Sequence, residues 1–189
     1  ITGIAPNANK QLEADKIRNA IKELHGKGVD KWIIDLRYNG GGKMNPMMSG
    51  IAPIFGNGFV GYLSNNEKDT LAKWTIRNSN FFWDDYMDIQ MDNKPALDPL
   101  NKVAVLISRY TISSGEFVAT AFKGRKNTRF FGEATGGLTT STNWVIIDSE
   151  LIMSISAGIY CDRNGVMYSK NIPADQQVDF ETDKGLESD

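Results

Sequence analysis

"KVAVLISRYTISSGEFVATAF", residues 102–122, decides the fold. Its first seven residues form a continuous apolar, β-branched run, which predicts a strand buried on both faces of a largely parallel sheet. Residues 115–124 then read as a helix closed by Gly124. Between the two, Ser113 and Ser114 stand side by side at a strand-to-helix turn. Such a turn projects a hydroxyl, and the following backbone N–H points from the helix start toward negative charge. The same residues suit a structural reading. Serine is a preferred N-cap, and Ser113 lies three residues before Glu116, the spacing of a capping box. The stretch alone leaves nucleophile and cap both open.

The flanks alternate strand and helix. Ile17, Ile21 and Leu24 recur at helical spacing within 12–28, with Gly26 and Gly28 as stop signals. Residues 31–45 give a short apolar strand that breaks at Asn39 and three glycines, where unusual backbone angles are allowed. Residues 45–56 read as a helix and 58–64 as a strand. On the carboxyl side, 128–137 reads as a strand with a glycine-rich exit, and 143–149 with 150–160 as an antiparallel pair. Residues 66–100 carry no clear pattern. This alternation predicts an α/β fold in one domain spanning 1–189.

Composition excludes several functions. With 41% hydrophobic and 23% charged residues, the chain matches a soluble globular domain, and no apolar run approaches the roughly 18 residues of a membrane span. A net charge of -2 argues against a nucleic-acid surface. The densest basic patch, 123–127, reads as a solvated helix end. Cys161 is the single cysteine and His25 the single histidine, so neither a disulfide framework nor a metal site is expected, and no cofactor. The chain starts at Ile1 without a leader pattern, the start expected of a processed product missing an upstream segment.

Ligand sites in open α/β sheets gather at the carboxyl ends of strands. Three such ends carry glycine or serine: 39–42, 111–116 and 132–137. Glycines beside the serine turn let a second backbone N–H approach the same point, and two converging N–H groups form an oxyanion hole, worth roughly 3 kcal/mol per donor in measured cases.

"WIIDLRYNGGG", then "VAVLISRYTISSGEFVATAF" about seventy residues later, then "RFFGEATGG" together resemble the core of the C-terminal processing peptidases, or tail-specific proteases, and their tricorn-like relatives. The match runs over roughly residues 10–180. It implies an α/β, crotonase-like spiral core with a mixed, largely parallel sheet, and a serine nucleophile acting on peptide or unfolded-protein substrates. The family's pattern selects Ser113 as nucleophile and Ser114 as one oxyanion donor. Its second donor best matches Gly41, with Gly42 the near alternative, and Glu116 matches the motif's glutamate, which orients the turn. The lysine base that the family places five residues after the "GE" glutamate is absent, because counting from Glu133 reaches Leu138. Lys123, Lys126 and Lys170 match no motif position, and polar neighbours give the first two no sign of desolvation.

The tricorn-like and bacteriocin-resistance branches, which use histidine, resemble the chain better. His25 belongs by position to the amino edge of the first strand, so the resemblance implies a base upstream of residue 1 or on a partner chain. Asp35 with Arg37 reads as a structural pair, Asp175 as structural, and Thr139, Thr140 and Thr142 as a loop lining the cleft. An extracytoplasmic location follows from the resemblance alone. The rival readings are a peptide- or apolar-ligand-binding module of the same fold, and an acyl-handling enzyme. Oligomeric state is not legible.

Overall fold

Residues 31–35 pair in parallel with residues 102–106, and this pairing brings two distant strand exits together. The computed structural model describes residues 1–92, 95 and 97–179. In chain order the elements are α1 (Lys10–Gly26), β1 (Lys31–Asp35), α2 (Met44–Phe55), β2 (Gly58–Ser64), β3 (Thr70–Arg77), β4 (Asn80–Trp83) and β5 (Lys102–Ile107). There follow α3 (Ser114–Phe122), β6 (Thr128–Gly132), β7 (Thr140–Ile146), β8 (Ile152–Asp162) and β9 (Gln176–Gln177).

The strands form two sheets. One is wholly parallel, in the order β1-β5-β6-β9, and the other is antiparallel, in the order β4-β3-β2-β8-β7. The mixed α/β class and the parallel sheet are as expected. Two of the five antiparallel strands come from the stretch the sequence left unread: Ala72, Trp74 and Ile76 alternate inward along β3, and Phe81 follows on β4.

α3 lies between the sheets, touching β5 on one side and β2 and β8 on the other, and all nine of its residues are buried. A helix buried all round has to be largely apolar, and "SGEFVATAF" is, apart from Glu116, whose carboxylate is hydrogen-bonded. Gly115 is the closest approach, since a Cβ there would meet the Asn39 carbonyl at 2.5 Å. α1 caps its first turn with the Asn9 side chain, which accepts the Leu12 N–H at 3.1 Å, and packs on α2. One apolar cluster joins both sheets and all three helices.

Two expectations are corrected. β5 is not buried on both faces: Val103, Val105 and Ile107 pack inward, whereas Ala104 and Leu106 are half-buried and Lys102 is exposed. The outer face stays open across the sheet, with Ile33 of β1 71% exposed. Nor is 123–127 simply a solvated helix end. Arg125 is buried and donates to the carbonyls of Ile54, Pro99, Asn101 and Lys126, and burial pulls its pKa down to about 10. Lys123 is buried too, with its ammonium 3.9 Å from the Phe130 ring centre and 2.9 Å from the Pro173 carbonyl.

Candidate active site

The loops that leave β1 and β5 are stitched together. Thr111 Oγ1 donates to the Leu36 carbonyl at 2.8 Å and accepts the Ser108 N–H at 3.0 Å. Ser108 Oγ donates to the Arg37 carbonyl at 2.5 Å, and the Ile112 N–H to the Asn39 carbonyl at 3.0 Å. Ser113 is thereby held at φ 54° and ψ −121°, a conformation that costs a non-glycine residue on the order of 1–3 kcal/mol. Strain of this kind persists only where the surroundings over-determine it, and it projects the Ser113 side chain from the mouth of α3.

Glu116 supplies much of that determination. Its carboxylate is fully buried and accepts the Ser113 N–H at 3.0 Å, the Thr135 hydroxyl at 2.5 Å and the Gly137 N–H at 2.8 Å. Burial pushes its pKa above the ordinary 4.5, while these bonds pull the other way. The capping-box geometry expected for Ser113 and Glu116 is present, with the Glu116 side chain closing on the Ser113 N–H. The cap and the strained turn therefore coexist in one residue.

Gly41 and Gly42 stand against this turn with φ of 90° and 99°. A Cβ on Gly41 would lie 2.7 Å from Ser113 Cβ and 3.1 Å from its Oγ, so only glycine admits the serine there. The Gly41 N–H donates to Asn39 Oδ1 at 3.0 Å, whereas the N–H groups of Gly42 and Ser114 have no partner among the described residues. Ser114 Oγ donates to the Gly42 carbonyl at 2.7 Å and fixes the two segments side by side.

A cleft of about 480 Å³ opens over Ser113. Gly42, Lys43, Met44 and Ser114 form one wall and Thr140, Ser141, Thr142 and Trp144 the other. Its floor is aromatic: Phe117 packs 6.0 Å from Trp83 and 5.3 Å from Tyr160, centre to centre.

The other sequence candidates fall out as follows. Thr140 and Thr142 line the cleft, while Thr139 is buried. Asp35 and Arg37 form a two-pronged ion pair at 2.9 and 2.6 Å, and Asp175 accepts the Phe130 N–H at 2.7 Å, both structural. Lys123 is desolvated, contrary to expectation, and burial lowers its pKa, yet it sits at the far end of α3 beside Asp175. Leu138 is 56% exposed. His25 ends α1, whose last turn borders a groove with Trp32 at the amino end of β1, a strand's length of roughly 17 Å from the exit that carries Ser113. Lys43, which the sequence reading passed over, is the amine on the cleft wall, and it donates to the Ala8 carbonyl at 2.8 Å. Its position directly after the glycine run was the available signal. Among the described residues no group of three or more His, Cys, Asp or Glu gathers to hold a metal, and no helix is long and apolar enough to cross a membrane.

The sequence profile of Peptidase family S41 matches residues 4–178. The nisin-resistance protein of Lactococcus lactis subsp. lactis is 29% identical over 159 residues, covering 82% of this chain and 48% of that protein. Among solved structures, a lipoprotein from Streptococcus agalactiae superimposes with a TM-score of 0.74 at 26% identity, over 94% of this chain and 60% of the other. The photosystem II D1 C-terminal processing protease superimposes at 0.66 and 22% identity, over 93% and 40%, a likeness of fold. The chain thus spans about half the length of the curated relative it matches.

Proposed function

Because the chain belongs to peptidase family S41, we propose that it forms the catalytic core of a serine peptidase with Ser113 as nucleophile. The observation that carries this reading is the strained Ser113, held against Gly41 beside two open backbone N–H groups in an aromatic-floored cleft. Ser113 Oγ adds to the scissile carbonyl and gives its proton to a base. The N–H groups of Gly42 and Ser114 hold the resulting oxyanion, and that of Gly41 joins only if Asn39 releases it. The base then protonates the leaving amine, and water hydrolyses the acyl-serine by the same steps in reverse.

The base is a histidine outside residues 1–189, since His25 ends α1 at the far edge of the sheet. Glu116 positions the turn through the Ser113 N–H and does not itself exchange protons with substrate. Kinship to a lipoprotein and to a nisin-resistance protein supports an extracytoplasmic site of action on peptides.

Reaction of this chain and of the complete gene product with a fluorophosphonate, followed by peptide mapping, tests the reading. Labelling of Ser113 in the complete product, absent from its Ser113→Ala variant, is the expected result. Loss of labelling in Lys43→Met would instead move the base to Lys43. No labelling of Ser113 in either form would favour the second reading, a peptide-binding module, which the lack of a histidine beside Ser113 supports.

A further inference from the structure

The wall facing Ser113 is the open edge of a sheet. β7 ends the five-stranded order, pairing with β8 on one side and with no strand among the described residues on the other. Thr140, Ser141 and Thr142 all line the cleft, although successive side chains of a strand point to opposite faces. The ladder with β8 is bulged between Ser141 and Thr142, and there the strand turns its edge, rather than one face, toward Ser113. One ladder bond fixes the phase of that edge. The Tyr160 N–H donates to the Thr139 carbonyl at 3.1 Å, which makes Thr140 and Ile159 a pair that exchanges no hydrogen bonds. The N–H and carbonyl of Thr140 consequently point away from β8, into the cleft.

The geometry points to a peptide held as an added strand on the free edge of β7, its backbone bonded to Thr140 and one alternate side chain lowered onto the aromatic floor between Phe117 and Trp144. The opposite wall suits the same backbone, because the Gly42 N–H is open on the far side of the cleft. Substrate is thus selected first by being extended and unpaired, and second by an apolar side chain at one position of its two-residue repeat. This inference rests on Ser113 as the attacking residue and supplies what that residue acts upon.

The test uses the complete gene product carrying Ser113→Ala, so that bound peptide survives. A fluorescein-labelled octapeptide of alternating Thr and Leu is compared with two derivatives, one N-methylated at every Thr and one at every Leu. A slip of two residues leaves the repeat unchanged, and both derivatives carry identical side chains. Strand addition engages only every second N–H, so one derivative should bind about tenfold or more weakly while the other stays within about twofold of the parent. Equal binding by all three, or no binding by the parent peptide, overturns the proposal. Trp144→Ala should weaken the parent peptide several-fold. Failure of fluorophosphonate to label the Ser113-bearing protein, with the N-methyl contrast intact, would remove the nucleophile and leave the strand site standing.

Discussion

The serine turn and the hairpin across the cleft from it differ in how far the chain satisfies them. Around Ser113 the polar groups that fix the turn are paired within the chain: Thr111 with Leu36, Ser108 with Arg37, Ser114 with Gly42, and Glu116 with three donors. The β7–β8 hairpin is the reverse. One face carries Val145, Met153 and Ile155, and the other Trp144, Ile146 and Ile152, each between 40% and 74% exposed. A contiguous apolar surface of that kind marks an interaction site rather than a stable face to water. The chain thus satisfies the serine turn from within and leaves the hairpin open.

The contrast can be broken most sharply at Ser113 itself. Ser113→Ala should abolish covalent labelling and lower peptide turnover by a thousandfold or more, roughly the loss seen when a hydrolase nucleophile is removed. Its melting temperature should fall by no more than the worth of one N-cap bond, because the substitution strips only a hydroxyl from the turn; a larger drop would return Ser113 to a purely capping role. Gly41→Ala comes next. The new Cβ meets Ser113 Cβ at 2.7 Å at a backbone angle that only glycine takes freely, so stability should fall by about 1–3 kcal/mol in chemical denaturation, and labelling of Ser113 should fall with it.

Glu116→Gln probes the clamp with a change of one atom. Replacing an acceptor oxygen by an NH₂ that faces donors should cost about 1–3 kcal/mol. Its pH dependence separates activity from stability. Burial raises the folded pKa of Glu116 above 4.5, so the folded chain binds this proton more tightly than the unfolded one. As pH falls from that raised value to 4.5, the wild type should gain stability relative to Glu116→Gln, and paired melts across that range would show it. Turnover should fall over the same range, as protonation takes an acceptor from the Ser113 turn. On the hairpin, by contrast, Val145→Ser and Met153→Ser should leave the stability of this chain within about 0.5 kcal/mol, the usual range for exposed positions. A larger loss would mean that the hairpin face is already covered.

What was legible in the sequence follows where its signals were local. The β5 run, the glycines after β1 and the serines before α3 each announce a backbone event within a few residues, and they led to the parallel sheet and the serine turn. The antiparallel pairing of β7 with β8 was legible, but β3 and β4 were missed because β3 alternates cleanly over only "LAKWTIR", with Lys73 and Arg77 outward, between segments rich in Asn and Asp. The burial of Lys123 and Arg125 was missed for another reason: backbone carbonyls from distant loops satisfy them, and no side-chain pattern records a carbonyl. The same blindness hid the engagement of the Gly41 N–H, which depends on the rotamer of Asn39.

The stitching of the two strand exits also sets when the serine turn can exist. Its bonds join residues 71 to 75 positions apart, Arg37 to Ser108, Gly42 to Ser114, Leu36 to Thr111. Closing so long a loop costs entropy that is recovered only after β1 and β5 have paired in parallel, a slow event in folding. A nascent or partly unfolded chain therefore has a serine but no activated geometry around it. The topology delays the appearance of the strained serine turn until the fold that restrains it is complete.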